Sequence, residues 1–131
     1  MRRPQYLSLV VLATVSAACG GGDQGPDQST GRYGNTHQAL CQASEAARRG
    51  DAEAAERVFF DRAHQPLHQL AAEVSDIDRT VAARLHEAKA ATEAGLNGDD
   101  NAEALARLTD ATRASLEAID HPTPPPCRQG E

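Results

Sequence analysis

The segment AEAAERVFFDRAHQPLHQLAAEV, residues 52–74, decides the fold. Its apolar residues Phe60, Ala63, Leu67, Leu70 and Val74 are spaced by threes and fours, which places them on one face of an α-helix and not of a strand. A helix of this length with a single apolar stripe must bury that stripe against other helices. The flanking sequence supplies them. Upstream, Thr36 is suited to cap a helix running to about residue 49, with Gly50 ending it and Asp51 capping the next. Downstream, a third helix is expected over about residues 76–96, with Ile77, Val81, Leu85, Ala88 and Thr92 on one face, and Asn97-Gly98-Asp99 breaks it. A fourth, over about residues 100–119, carries Leu105, Leu108, Thr112, Leu116 and Ile119. Connections this short favour antiparallel neighbours, so the expected fold is all-α, a small up-down-up-down four-helix bundle over residues 36–119.

Outside that domain the composition changes. Arg2 and Arg3 precede an apolar stretch, residues 7–15, that is too short to cross a bilayer and has the order of regions a secretory signal requires. Val15-Ser16-Ala17-Ala18-Cys19 resembles the lipobox of bacterial lipoproteins, although Ser16 stands where Leu is commoner. The resemblance implies that residues 1–18 are a signal peptide and that Cys19 is acylated and becomes the mature N-terminus. The mature domain accordingly resembles small helical envelope lipoproteins. Residues 19–35 are rich in Gly with Asp, Gln, Ser and Thr, and are expected to form a disordered, flexible linker to the membrane. In Gram-negative lipoproteins an Asp after the lipidated Cys commonly marks inner-membrane retention, and here the residue is Gly20, which favours the outer membrane. The expected location is the cell envelope, facing the periplasm or exterior.

Charge narrows the partners. The chain holds 13 Lys and Arg against 19 Asp and Glu, and two of the Arg belong to the signal, so the mature portion carries 11 cations against 19 acids, a net charge of −8. That excess opposes binding to nucleic acid, which requires phosphate neutralisation. With Cys19 lipidated, Cys41 and Cys127 remain as a pair for a disulfide in an oxidising compartment. The Pro-rich tail, residues 120–131, cannot be helical through Pro122, Pro124, Pro125 and Pro126 and is expected to run extended, bringing Cys127 back to the first helix.

One cluster has the residue types for metal chemistry. Asp61, His64 and His68 have a D-x-x-H-x-x-x-H spacing that stacks three possible ligands on successive turns of the second helix. Two imidazoles at i and i+4 can share zinc or another divalent ion, and a carboxylate adds a hard third ligand. Pro66 between them removes an amide donor and is expected to bend the helix, leaving the Arg62 carbonyl without its usual partner. His37, His86 and His121 lie elsewhere, with His86 nearly opposite the third helix's stripe. The two-His helix is similar to the H-x-x-x-H element of haemerythrin-like bundles, whose other ligands are missing here.

Other motifs lead nowhere. Residues 46–55 resemble the helix junction of tetratricopeptide-like repeats, but no second copy occurs and such arrays need about three. Ser44, Ser75 and Ser115 lack a G-x-S-x-G turn, no Gly-rich phosphate loop follows a strand, and no catalytic constellation is expected. Two function classes remain. The first is a non-catalytic envelope lipoprotein, without cofactor, that presents its bundle to a protein or another envelope component, with Val58 and Phe59 widening the apolar stripe into a contact surface. The second is a metal-binding lipoprotein that uses Asp61, His64 and His68.

Overall fold

The computed structural model describes residues 31–128. The expected signal, Cys19 and the linker up to residue 30 lie outside the described residues, as do residues 129–131. Every regular element among the described residues is helical: α1 (Gly34–Arg48), α2 (Ala52–Val58), a π-helical turn (Phe59–Ala63), α3 (His64–Ile77), α4 (Arg79–Gly95) and α5 (Asn101–Ala118). The pieces α2, π turn and α3 follow one another without a break, so the chain makes four helical rods. Each rod packs on the next, and α5 closes the ring against α1, which gives the four-helix bundle.

Local chemistry sets the turns. Gly50 has φ +79°, and the Asp51 and Gly50 amides donate to the carbonyls of Ala46 and Ala47, a Schellman closure that requires a left-handed residue. Asp51 then caps α2 through the Ala54 amide at 3.0 Å. One residue, Asp78, joins α3 to α4; its carboxylate accepts from the amides of Thr80 and Val81 at 2.9 and 3.0 Å. At the end of α5 the same Schellman geometry recurs, with Asp120 at φ +51° and the His121 amide donating to the Leu116 carbonyl at 2.9 Å.

The N-terminal boundary falls earlier than the capping reading placed it. Helix α1 begins at Gly34, its cap position is Tyr33 with no side-chain hydrogen bond, and Thr36 is buried inside the first turn. Tyr33 is the reason, since its ring is buried in the bundle and packs on His121 at a centroid distance of 5.3 Å. Burying one large aromatic offsets the missing cap.

The second rod corrects the expected stripe. Phe59 is fully buried and Phe60 is 43 % exposed, whereas the sequence pattern took Phe60 as core and Phe59 as a bordering contact residue. The π turn explains the exchange. The His64 amide donates to the Phe59 carbonyl, five residues back instead of four, so one extra residue is accommodated in the turn. Ala55, Phe59, Ala63 and Leu67 are therefore buried together at steps of four that a regular helix would let drift around its axis. Pro66, which has no amide to donate, is the third residue of α3 and directly follows this irregular turn. Ile77 is also misplaced by the pattern: it ends α3 at the corner before Asp78 and is 64 % exposed.

The core between the rods is made of Leu40, Leu67, Leu70, Val74, Leu85, Leu96, Leu105, Leu108 and Leu116, filled out by alanines. Thr92 and Thr112 share it because their hydroxyls donate to carbonyls four residues back, Ala88 at 2.9 Å and Leu108 at 2.8 Å. Cys41 in α1 and Cys127 in the tail are joined as a disulfide with Cα atoms 5.3 Å apart. The tail reaches it as a strap along α5, with Pro124 buried and its carbonyl accepting from Arg113 Nε at 3.0 Å.

Two outcomes follow from this packing. Phe59→Ala lowers the unfolding free energy by about 3–5 kcal/mol, while Phe60→Ala costs about 1 kcal/mol or less; urea titration of the two variants checks this, and equal losses would contradict the π-turn phasing. Opening the Cys41–Cys127 link, which spans 86 residues, costs about 4–5 kcal/mol in the chain-entropy picture. A Cys41→Ser/Cys127→Ser variant measured beside the oxidised protein tests that figure.

Candidate functional site

The side chains that could do chemistry gather where α3 faces α4. His64 and His68, one turn apart on α3, present their rings edge to face with centroids 4.8 Å apart. Glu93, on α4, brings its Oε1 to 2.9 Å from His64 Nε2. One donor atom from each of His64, His68 and Glu93 lies within 4.8 Å of the other two. Phe60 and Phe59 also pack on the His64 ring, at centroid distances of 5.3 and 5.9 Å.

Of the three residues in the expected ligand set, the structure brings together His64 and His68 and leaves out Asp61, which is exposed and takes no part in the cluster. The cause is again the π turn. Stacking of residues three and four apart assumes an α-helix, and Asp61 lies within a turn that holds an extra residue, so it no longer stands above His64. Glu93 takes its place from the neighbouring helix.

Lys89 is the second residue the pattern did not find. It is only 6 % exposed, on the buried face of α4 between Leu85 and Thr92, and its ammonium donates to Glu93 Oε1. Its aliphatic stem fills the core and its charged end reaches the site. A sequence signal existed: Lys89 is the single Lys of a chain that otherwise uses Arg, it falls four residues from Leu85 and three from Thr92, and it precedes Glu93 by four.

The charges act on one another. Desolvation alone would raise the Glu93 pKa, but the hydrogen bond and charge of Lys89, followed by His64, outweigh it and hold the carboxyl below the usual glutamate range. His68 is shifted below the ordinary imidazole value by desolvation first and then by the positive charges of Lys89 and His64. His86, also on α4, is near enough for its charge to bear on His68 in the same direction. Two imidazoles beside a carboxylate form a nitrogen and oxygen donor set suited to a borderline divalent cation.

A second histidine environment lies beside the disulfide. His37 is 6 % exposed, and its Nδ1 is 3.7 Å from Cys41 Sγ. Desolvation, and then the charge of Arg113, lowers its pKa. Ser44 lies on the same helix, and its buried hydroxyl has no hydrogen-bond partner. It lines a cleft of about 310 Å³ with Arg48, Thr109, Asp110 and Cys127.

No family model matches the chain, no curated protein is significantly similar to it, and no solved structure matches it. What these sites can do follows from their own residues.

His37 gives the molecule a defined pH response. Its folded pKa lies below the unfolded value of about 6.5, so the unfolded chain takes up the proton first. The stability His37 contributes is present above about pH 6.5 and is lost as pH falls through its lower folded value. Urea midpoints of wild type should drop relative to those of His37→Gln below about pH 6.5; parallel profiles would remove the effect.

Proposed function

We propose that this chain is a non-catalytic lipoprotein of the bacterial cell envelope, anchored through Cys19, that presents its helical bundle to a protein or another envelope component. The cysteines carry the reading. Two of the three are linked as Cys41–Cys127, a bond suited to an oxidising compartment. Cys19 is left over, preceded by small residues and a short apolar stretch in the order of a lipoprotein signal. Among the described residues no helix is long and apolar enough to cross a membrane, so in this reading attachment rests on lipid at Cys19.

The bundle offers its partner a polar face. The exposed large apolar residues among those described are Phe60 and Ile77, 17 positions apart on one rod, which is roughly 25 Å at helical rise. Two isolated apolar residues do not form a patch, and recognition falls to charged surface in a mature chain of net charge −8. That surface, acidic in balance, disfavours nucleic acid as the partner.

Replacing Cys19 with Ser should abolish palmitate incorporation and move the protein from the membrane fraction to the soluble exported fraction. Retention of the variant in the membrane with undiminished labelling would end the lipoprotein reading.

A further inference from the structure

From the contact between α3 and α4 we infer that His64, His68 and Glu93 form a site for a divalent cation of the zinc class, in which Lys89 occupies the carboxylate when metal is absent. The three donor atoms lie within 4.8 Å of one another and come from two helices. Metal–ligand bonds of about 2.0–2.2 Å in tetrahedral geometry place donors roughly 3.4 Å apart, so the side chains must draw together by up to about an ångström and a half on binding. Two imidazoles select zinc, cobalt, nickel or copper over calcium and magnesium, which prefer oxygen. Three protein ligands leave a fourth position open.

Lys89 sets this arrangement apart from a surface histidine pair. Its ammonium already neutralises Glu93, and His64 already bonds to the same oxygen. A cation that binds here must displace both contacts: the metal takes Glu93 Oε1 and His64 Nε2, and the Lys89 ammonium turns towards solvent on its flexible stem. The lysine is thus an internal competitor for the carboxylate, and removing its charge without removing its stem favours the metal.

The test uses the full chain in a Cys19→Ser background, so that no free thiol competes, with Cys41–Cys127 oxidised. Zinc chloride is titrated calorimetrically, and cobalt absorption is followed in parallel. His64→Ala, His68→Ala and Glu93→Gln each weaken binding by at least about tenfold, the lower end of what even outer-shell partners contribute to metal affinity. Lys89→Met tightens it several-fold, and Asp61→Asn leaves it unchanged. Circular dichroism of each variant shows whether the fold is retained; a variant that unfolds is replaced by His64→Gln, His68→Gln or Glu93→Ala and judged by the same criteria. Equal weak binding by wild type and both histidine variants would overturn the site. So would a Glu93→Gln protein that binds like wild type, or loss of binding in Asp61→Asn alone, which would return the ligands to one helix. A Lys89→Met protein no tighter than wild type would overturn the competitor role.

Discussion

Helices that face one another through alanine can approach closely but bury little apolar surface per residue. Around that constraint the structure is arranged. Among the described residues two Phe or Tyr side chains, Tyr33 and Phe59, are buried in the core, and several core positions belong to threonines whose hydroxyls must be satisfied by their own helix. The Cys41–Cys127 bond supplies what such packing lacks. It fixes the strap that follows α5 to the middle of α1, and α1 and α5 are the two helices whose contact closes the ring. Tyr33 and His121 pack together where the chain enters α1 and leaves α5, so those two helices are tied by an aromatic contact at one end and by the covalent bond further along.

The elements were legible because their punctuation is chemical. Gly50 and Asp51 specify a left-handed closure and a cap with no help from tertiary structure, and both occur as the sequence implies. Leu105, Leu108, Thr112 and Leu116 lie in the core at the spacing the pattern gave. The pattern went wrong where a rule of fixed period met a change of period. With 3.6 residues per turn assumed throughout, the stripe extended backwards from Leu67 reaches Phe60; with one extra residue in the turn it reaches Phe59. Nothing in residues 59–63 themselves announces a π turn. Thr36 carries a local capping signal, whereas burial of Tyr33 is a tertiary event that no local signal announces.

The candidate site shows the same division. His64 and His68 were visible as an i, i+4 pair, since that relation is internal to one helix. Glu93 was not, because a partner on α4 depends on the rotation of α4 against α3. That rotation is set by Leu85, Thr92 and the stem of Lys89 packing inwards. Lys89 gives the site a built-in counter-charge, and the carboxylate stays ionised despite the partial burial that would otherwise favour its neutral form.

The π turn also bears on how this rod tolerates changes in length. An inserted residue is normally looped out or shifts everything on one side of it, and here it is absorbed within hydrogen-bonded helix. Deleting any one residue between 59 and 63 would restore a regular α-helix and turn α2 by about 100° relative to α3. Ala55 would then leave the face that packs on α1, while the histidine pair, on the other side of the turn, would keep its place against α4. The identity of the residues in this turn is open to substitution, apart from Phe59 and Ala63, but their number is fixed by two neighbouring helices that must both be met by one rod.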